Sequence, residues 1–355
     1  MQAGEPGAPR VVALDGMGGD RAPDSVCEAA AAISRTTSIR LRVAGPQARL
    51  EPLLARFDAD ASRVEVIDCA DAVPMHEDPR AALGRTRSSL ARAVADVAEG
   101  RAEAVVSAGN TGALLLHAAR AIPRLPGVRR AALAAVYPAR PRPHNPDPFA
   151  LLLDVGANVA CEPADLVGFA TMGSAYAARI SKVEQPSVGL LNIGEEPAKG
   201  DALLREAHAL LAASPGLRFV GNVEGKDVPL GVVDVVVCPG VLGNVVLKLL
   251  ESLGEVVLAR GEALFHERAD WRLGRWLLRG GLAKLSDFFD YASYGGAPIL
   301  GLERIVLKAH GRSHARALEN AIKVAAKAVR DDVCGAIAAG LDAAGRVGVR
   351  EGRPA

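Results

Sequence analysis

The chain has 355 residues, half of them apolar and 23% charged, which is typical of a folded protein with a large core and not of a disordered chain. Its 42 basic and 41 acidic side chains nearly cancel, so a globally basic nucleic-acid-binding protein is not expected. The five cysteines form no CxxC or Cys/His cluster, and no apolar run reaches the roughly 18–20 residues of a membrane span, which argues against a disulfide scaffold, a structural zinc site and a spanning helix.

Residues 1–10 are rich in Gly and Pro and lack the apolar centre of a signal peptide, so we expect a disordered N-terminus and a cytoplasmic protein. From residue 11 onward, short apolar runs alternate with longer amphipathic segments. The short runs predict strands at Val11–Asp15, Leu41–Gly45, Val64–Asp68, Ala104–Ser107, Ala132–Tyr137, Leu151–Val155, Val188–Ile193, Phe219–Val223, Val233–Cys238 and Ile305–Lys308.

The longer segments repeat their apolar residues with a period near 3.6 and predict helices at Pro23–Arg35, Gln47–Phe57, Arg80–Glu99, Gly112–Ile122, Glu162–Ser181, Pro197–Ala213 and Ser313–Val329. Alternation of strands and helices predicts an α/β fold, a mainly parallel sheet with helices on both faces. Residues 138–148 contain five prolines and predict a stiff loop.

Residues 245–289 depart from this alternation and predict a helical hairpin inserted into a single domain that spans residues 11–340, followed by a Gly- and Arg-rich tail at 341–355. Basic, Trp- and Leu-rich amphipathic helices are typical of membrane interfaces, although a dimerisation hairpin with solvated arginines gives the same pattern. The candidate membrane-contact residues are Trp271, Arg272, Arg275, Trp276 and Arg279.

Glycine and small polar residues follow the predicted strands again and again. In open α/β sheets, ligands bind outside the carboxyl ends of the strands, and helix N-termini there favour anions. We therefore expect one shared ligand crevice. The residues do not form a GxGxxG dinucleotide fingerprint, a P-loop or a GxSxG nucleophile elbow, so a covalent Ser or Cys enzyme has no support.

The motifs at these strand ends resemble the bacterial phosphate acyltransferase (PlsX) family of phospholipid synthesis, in the family's order, over about residues 11–330. They are Leu14-Asp15-Gly16-Met17-Gly18-Gly19-Asp20, Ser107-Ala108-Gly109-Asn110-Thr111-Gly112, Leu153-Asp154-Val155-Gly156-Ala157-Asn158, Leu191-Asn192-Ile193-Gly194, Gly221-Asn222-Val223-Glu224, Gly243-Asn244-Val245-Val246-Leu247-Lys248, Tyr294-Gly295-Gly296-Ala297-Pro298 and Lys308-Ala309-His310-Gly311.

The resemblance implies transfer of a fatty acyl group from acyl carrier protein to inorganic phosphate. The acyl phosphate product would then serve a membrane glycerol-3-phosphate acyltransferase. It further implies a Rossmann-like α/β/α sandwich related to phosphate acetyltransferases and to isocitrate and isopropylmalate dehydrogenases. A homodimer bound peripherally to the inner face of the cell membrane is also implied. The reaction needs no metal or other cofactor, and no nucleic acid is expected as a partner.

Candidate residues follow from what the reaction needs. Phosphate must be held beside a thioester carbonyl, and the tetrahedral oxyanion must be stabilised. We expect substrate binding by Gly18, Gly19, Asp20, Ser107, Gly109, Asn110, Thr111, Gly112, Asp154, Asn158 and Asn192. We expect catalytic roles for Lys248, Lys308, His310, Asn222 and Asn244, with His310 a candidate proton donor to the departing thiolate.

The sequence also departs from the family pattern. Arg21 stands where the family has a His, residues 238–241 read Cys-Pro-Gly-Val in place of TDGF, and residues 84–89 replace a Lys-rich stretch. Arg85, Arg87 and Arg92 are candidates for docking the acidic carrier protein. Three alternatives stay open: a CoA-dependent phosphate acetyl- or butyryltransferase, a nicotinamide-dependent dehydrogenase of the related fold, and a non-enzymatic membrane scaffold.

Overall fold

The computed structural model describes residues 10–140, 149–289 and 295–350. Nearly all of the predicted disordered N-terminus (residues 1–10) and most of the proline-rich segment at 138–148 lie outside the described residues. The strands in the described part of the chain are β1 (Val11–Asp15), β2 (Arg40–Gly45), β3 (Val64–Asp68), β4 (Ala104–Ser107), β5 (Ala132–Pro138), β6 (Phe149–Leu153), β7 (Ser187–Leu191), β8 (Arg218–Val223), β9 (Val235–Val237), β10 (Ala297–Leu300) and β11 (Ile305–Lys308).

The helices in the same ranges are α1 (Asp24–Thr36), α2 (Gln47–Arg56), α3 (Pro79–Ala82), α4 (Ser89–Ala98), α5 (Thr111–Ala121), α6 (Pro163–Ile180), α7 (Ala202–Ala212), α8 (Asp227–Leu230), α9 (Gly240–Glu267), α10 (Ala269–Phe289), α11 (Ala315–Arg330) and α12 (Val333–Arg350). None of the helices that the structure describes is long and apolar enough to cross a membrane.

The strands form one sheet in the order β3-β2-β1-β4-β11-β10-β5-β6-β9-β7-β8. Strands β1 to β4 and β11 are parallel to one another, and so are β6 to β9. Between these two sets, β10 is antiparallel to both β11 and β5, and β5 is antiparallel to β6. The two parallel sets therefore run in opposite directions. The carboxyl ends of one set lie at one border of the sheet and those of the other set lie at the opposite border, and we call these two borders, which are formed by strand ends, the edges of the sheet.

The core lies on both faces of the sheet, which confirms the predicted α/β/α fold with a mainly parallel sheet. Alternate residues of a strand point to opposite faces. On β5, for example, Leu133 and Ala135 belong to one apolar cluster, whereas Ala132 and Ala134 belong to the other. Helices α4, α5 and the start of α9 cover the first face, and helices α1, α2, α6, α7, α11 and α12 cover the second.

Several predicted boundaries were wrong. The helix predicted over Arg80–Glu99 is broken into α3 and α4, because Ser88 caps a new helix with its side chain accepting the N–H of Ala91. Strand β10 was missed. The hairpin begins at Gly240 and not at residue 245. The segment predicted as a tail from residue 341 is helical as far as Arg350.

Helix α9 can begin where it does because its first turn contains two glycines, Gly240 and Gly243. A Cβ on Gly240 would lie 2.5 Å from a carboxylate oxygen of Asp154, and a Cβ on Gly243 would overlap the backbone oxygen of Asp154 and lie 2.7 Å from Sγ of Cys238. Contacts this short are not tolerated by real side chains. The absence of side chains at these two positions therefore seats the helix directly against the ends of β6 and β9.

Candidate active site

A cavity of about 460 Å³ lies on the face of the sheet between α5 and α9. Its floor is apolar and includes Leu133, Ala135 and Val155. Its polar lining falls into two groups, which we call the basic end and the amide end. The basic end contains Thr111, Gly112, Lys248, Lys308 and His310, and the amide end contains Gly156, Asn158, Gly240 and Asn244.

The basic end is built on a row of polar residues across three parallel strands. Lys308 of β11 pairs in register with Ser107 of β4. One residue earlier, Leu14 of β1 pairs with Val106 of β4, so Asp15 continues the same row. Paired residues of neighbouring strands project to the same face of a sheet. Asp15, Ser107 and Lys308 therefore stand side by side where β1, β4 and β11 end.

Asp15 is only 3% exposed and its carboxylate is fully engaged. The hydroxyl of Ser89 donates to Oδ1 at 2.5 Å, and that of Ser107 donates to Oδ2 at 2.7 Å. The Ser107 hydroxyl also accepts the N–H of Gly109 at 3.0 Å. Burial raises the pKa of Asp15, while these hydroxyls, the N–H of Met17 and the charge of Lys308 oppose that rise.

Helix α5 begins at the basic end. The side-chain oxygen of Asn110 caps this helix by accepting the N–H of Ala113 at 3.0 Å. The amide nitrogen of Asn110 donates to the backbone oxygens of Met75 and Glu77. Asn110 is therefore an ordinary cap that also fixes a neighbouring loop. The backbone N–H groups of Thr111 and Gly112, in the first helical turn, have no acceptor within the helix and favour an anion in the cavity that both residues line.

Lys308 supplies a buried cation beside this helix start. Its side chain is 8% exposed, and Nζ donates to the backbone oxygens of Ala108, at 3.3 Å, and of Ala309. An ammonium group has three N–H donors, so one is left for a ligand in the cavity that Lys308 lines. Burial lowers the pKa of Lys308 to about 8, with Lys248 adding to the effect and Asp15 and Asp20 opposing it.

His310 faces the same end of the cavity. Burial lowers its pKa to about 4, helped by the charges of Lys248, Lys308 and Arg312. The imidazole is therefore neutral near pH 7. Its Nδ1 accepts the backbone N–H of Arg312 at 3.2 Å, which leaves the proton of the neutral ring on Nε2. A neutral ring of this kind is a hydrogen-bond donor, and it does not suit the general-acid role predicted from the sequence.

The amide end is organised by Asp154, which is completely buried. Its Oδ1 accepts the N–H groups of Leu133, Gly156 and Ala157, and its Oδ2 accepts both the backbone and the side-chain N–H of Asn158. Asp154 therefore shapes the loop that lines the cavity and does not itself reach into it. Asn244 lies against this loop, about 3.5 Å from the position of a Cβ on Gly156.

Lys248 and Glu251 form an ion pair of 2.7 Å on the wall that α9 contributes. Lys248 is exposed, whereas the Glu251 side chain is 8% exposed and lines the cavity. Glu251 was not predicted from the sequence, since nothing in the run Leu249-Leu250-Glu251 sets one acidic side chain apart on a helix. Ser89 and Gly156 were also missing from the predicted set, although Gly156 stands in a motif that carries the resemblance.

The predicted site residues fall into three groups. Thr111, Gly112, Asn158, Asn244, Lys248, Lys308 and His310 line the cavity. A second group shapes it from behind and comprises Gly18, Gly19, Asp20, Ser107, Gly109, Asn110 and Asp154. In this group a Cβ on Gly18 would lie 2.8 Å from the nitrogen of Gly109, and the N–H of Asp20 donates to the oxygen of Gly311 at 2.8 Å.

The third group, Asn192 and Asn222, does not reach the cavity, and its predicted site role is corrected here. Their side chains donate to the backbone oxygens of Lys199 and Glu196, so they fix the loop that follows β7. The expectation of one crevice at the carboxyl ends of all strands was also wrong, because the two sets of parallel strands run in opposite directions. The ends of β1, β4 and β11 lie at one edge of the sheet and those of β6 to β9 at the other, so the cavity crosses the face between them.

Two departures from the family pattern can be placed. Arg21 is exposed beside the loop that carries Asp20. Pro239 is the residue that caps α9, with φ of −58° and ψ of 140°. A fixed φ near −65° is what proline supplies. The structure gives neither residue a direct contact with the cavity, while Gly240 directly after Pro239 lines it.

One group of acidic side chains in the described ranges has the spacing of metal ligands, and it lies away from the cavity. One oxygen each of Glu195, Glu224 and Asp227 falls within 4.8 Å of the others. Lys226 pairs with both Glu195 and Glu224, and Asp227 accepts the N–H of Glu224 at 2.8 Å. These contacts account for the cluster without a metal.

Solved structures share this fold at low sequence identity. A phosphotransacetylase from Streptococcus pyogenes has a TM-score of 0.63 at 16% identity and covers 91% of this chain and 94% of its own. A 4-hydroxythreonine-4-phosphate dehydrogenase from Klebsiella pneumoniae has a TM-score of 0.51 at 16% identity and covers 91% and 99%. This chain therefore shares its fold with both of these proteins.

Relatives in sequence identify the family to which the chain belongs. The family model described as fatty acid synthesis protein matches residues 10–336. A phosphate acyltransferase of Clostridium acetobutylicum is 40% identical over 319 residues, which is 89% of this chain and 94% of the relative. One of Syntrophotalea carbinolica is 42% identical over 322 residues, 90% of each chain. The chain belongs to this phosphate acyltransferase (PlsX) family of enzymes.

Proposed function

We propose that the enzyme transfers a fatty acyl group from acyl carrier protein to inorganic phosphate, and that its acyl phosphate feeds a membrane glycerol-3-phosphate acyltransferase. This proposal rests on one observation: a single cavity has a basic end and an apolar floor. Its basic end combines a helix N-terminus with Lys308 and His310, and its floor is apolar. Phosphate suits the basic end, and an acyl thioester suits the floor.

The reaction balances without an external acid. An oxygen of hydrogen phosphate attacks the thioester carbon, the new C–O bond forms, and the C–S bond of the tetrahedral intermediate breaks. The proton of hydrogen phosphate passes to the departing sulfur, so that acyl phosphate and the carrier thiol are the products. The protein then has two tasks, to hold phosphate against the carbonyl and to stabilise the oxyanion. Each is worth several kcal/mol, on the order of 3–10.

Residues of the basic end can be given these tasks. The N–H groups at the start of α5 and the third N–H of Lys308 hold the phosphate oxygens. The Nε2–H of His310 donates to the developing oxyanion, because a neutral imidazole donor stabilises charge without surrendering its proton. Asn244 at the amide end supplies a neutral amide for the amide groups of the pantetheine arm. Both side-chain N–H groups of Asn158 are already donated to Ala131 and Asp154, so Asn158 offers its side-chain oxygen as an acceptor.

The carrier protein needs a positive surface near the cavity. Of the three arginines predicted for it, Arg85 forms ion pairs with Asp71 and Glu77, and Arg92 with Asp96. Arg87 is exposed beside them. A carboxylate of the carrier protein would have to displace partners that Arg85 and Arg92 already hold, so we assign the docking role to Arg87 among these three.

The donor is tested directly with purified enzyme, inorganic phosphate and three donors: a long-chain acyl carrier protein, the matching acyl-CoA, and acetyl-CoA. Acyl phosphate is followed by ³¹P NMR. We expect turnover with acyl carrier protein at least about tenfold above acyl-CoA, and loss of phosphate saturation in Lys308→Met. Preference for acetyl-CoA would identify a phosphotransacetylase, and no acyl phosphate from any donor would favour a dehydrogenase or a scaffold.

We further propose that α9 and α10 serve dimerisation and membrane contact. The first half of α9 exposes an apolar stripe at helical spacing, with Leu249 67% exposed. On α10, Trp276 is 60% exposed and Arg279 stacks on its ring at 5.5 Å. Monomeric proteins rarely expose contiguous apolar surface. The stripe suits a second copy of this chain, and the Trp and Arg pairs suit an anionic lipid surface at the inner face of the cell membrane.

These two uses separate experimentally. Leu249→Glu is expected to convert a homodimer into a monomer in analytical ultracentrifugation. Trp271→Ala with Trp276→Ala is expected to leave the dimer intact and to abolish flotation with vesicles that contain phosphatidylglycerol. Of the other predicted contact residues, Arg275 pairs with Glu262 and so serves the hairpin itself, whereas Arg272 and Arg279 remain candidates for lipid phosphate. Flotation unchanged in the tryptophan variant refutes the membrane contact.

A further inference from the structure

Directly behind the basic end lies a carboxylate that the proposed reaction does not use. Asp15 does not line the cavity, is 3% exposed, and stands in the same row as Ser107 and Lys308 across β1, β4 and β11. Each of its oxygens receives one serine hydroxyl, from Ser89 on α4 and from Ser107 on β4. Burying a carboxylate costs free energy, which hydrogen bonds or a nearby opposite charge must offset.

Two structural links connect Asp15 to the phosphate site. The first link is the register of the three strands, which places Asp15 and Lys308 on either side of Ser107 in one buried polar row, so that their charges attract each other. The second is a hydrogen-bond chain in which Ser107 donates to Asp15 and accepts the N–H of Gly109. Gly109 directly precedes Asn110, the residue that caps α5. Asp15 thus fixes both the cation and the loop from which the helix N-terminus starts.

The other charged and titratable groups near this pair come from several elements. Asp20 in the loop after β1 and Lys248 on α9 act on Lys308, and His310 lies two residues beyond it. Cys69, after β3, is a near neighbour of Asp15, and burial raises the pKa of its thiol to about 11, so that it carries no charge near pH 7. Asp15 and Asp20 are the two carboxylates that raise the pKa of Lys308, and of these only Asp15 belongs to the strand row.

We propose that Asp15 is a positioning residue of the phosphate site, holding Lys308 as a cation and the loop at residues 107–110 in place through Ser107, without touching substrate. This inference rests on the proposed function, since it assumes that Lys308 binds phosphate. Burial would otherwise release the proton of a lysine near neutral pH. The carboxylate keeps the charge on a side chain that the fold has removed from water.

The test compares Asp15→Asn with Val105→Ala. Asparagine keeps the shape of aspartate: its oxygen can still accept from the Ser107 hydroxyl, and the Ser89 hydroxyl can rotate to accept from its NH₂ group, so the variant is expected to fold. Asp15→Ser is a second neutral variant if asparagine destabilises the chain too far. Val105 is completely buried on the same face of β4, two residues before Ser107, so Val105→Ala disturbs the packing beside the row but keeps the carboxylate and both of its serine hydrogen bonds, and it is therefore the matched control.

Two measurements are made on each protein. The charge on Lys308 is read by trace acetylation between pH 6 and 11, with mass spectrometry of the Lys308 peptide and Lys323 as internal reference. Phosphate binding is read from the KM for phosphate over the same range. In Asp15→Asn the Lys308 midpoint is expected to fall by about one pH unit or more. At pH 8 the charged fraction would then drop from about one half to about one tenth, and KM for phosphate would rise about fivefold.

Each outcome decides something. A lowered Lys308 midpoint with a matching rise in KM, and neither in Val105→Ala, supports the positioning role. An unchanged midpoint in Asp15→Asn overturns it, whatever happens to activity. Equal midpoint shifts in Asp15→Asn and Val105→Ala also overturn it, because packing and not charge would then be responsible. A lowered midpoint with an unchanged KM upholds the Asp15–Lys308 pair and refutes the assignment of phosphate to Lys308.

Discussion

Replacing Asp154 by Asn tests whether one buried carboxylate holds the amide end of the cavity together. An asparagine oxygen in the place of Oδ1 can still accept the N–H groups of Leu133, Gly156 and Ala157. The new NH₂ group, however, stands in the place of Oδ2. There it meets the backbone N–H of Asn158 at 2.8 Å and its side-chain N–H at 2.9 Å, so that donors face donors.

The magnitude follows from the two lost hydrogen bonds. Hydrogen bonds to a charged group contribute about 1.5–3 kcal/mol each, and a buried donor left without an acceptor costs a similar amount. Two such losses give a destabilisation of about 3–6 kcal/mol. A typical domain has a total stability of about 5–15 kcal/mol, so this is a large fraction. The damage should spread to α9, because Gly240 and Gly243 pack directly against Asp154.

The assay is thermal and chemical denaturation followed by circular dichroism, together with phosphate and thioester kinetics. Asp201→Asn is the matched control, since Asp201 is an exposed cap whose side chain accepts only the N–H of Leu204, at 2.9 Å, and asparagine caps equally well. The control should be neutral within about 0.5 kcal/mol. If Asp154→Asn is as stable and as active as the control, the hydrogen-bond reasoning for this loop is wrong.

Three further predictions follow from the geometry. Gly243→Ala should destabilise the protein by about 1–3 kcal/mol through overpacking, whereas Gly261→Ala, with open space in the same helix, should be neutral or slightly stabilising in the same denaturation assay. Gly112→Ala should raise KM for phosphate, because its Cβ would collide with Pro79 and displace the start of α5. His310→Gln should keep a donor and lose less turnover than His310→Ala, and neither should move the pH–rate limb between pH 6 and 8, because the pKa of His310 is about 4. A limb that disappears in His310→Gln would restore the acid role.

The strands and the motifs that carry the chemistry could be predicted, because buried strands are short apolar runs and their ends need glycine. The direction of each strand in the sheet could not be predicted. The runs at Ala132–Pro138 and Phe149–Leu153 look like parallel strands of an α/β sheet, yet they pair antiparallel and reverse the second half of the sheet. Apolar residues that are buried on both faces satisfy either direction equally well. Only the tertiary pairing shows where the carboxyl end of each strand lies.

The hydrogen-bond partner of each polar side chain could not be predicted from the sequence either. Ser107, Asn110, Asn192 and Asp154 have the residue types of a ligand site, but each forms its hydrogen bonds with other groups of the protein. Residue type predicts that a group will be hydrogen-bonded and does not predict by what. The residues that do line the cavity are in part the helix starts and apolar floor residues, which carry no distinctive side chain at all.

The reversal within the sheet explains why one cavity has two chemically different ends. In a sheet with one direction, the helices that follow β4 and β9 would begin at the same edge. Here they begin at opposite edges, so α5 brings its N-terminus to Lys308 while α9 brings its N-terminus to Asn158. In the proposed reaction, this arrangement would separate the phosphate at the basic end from the amide groups at the amide end, with the apolar floor left for the thioester between them.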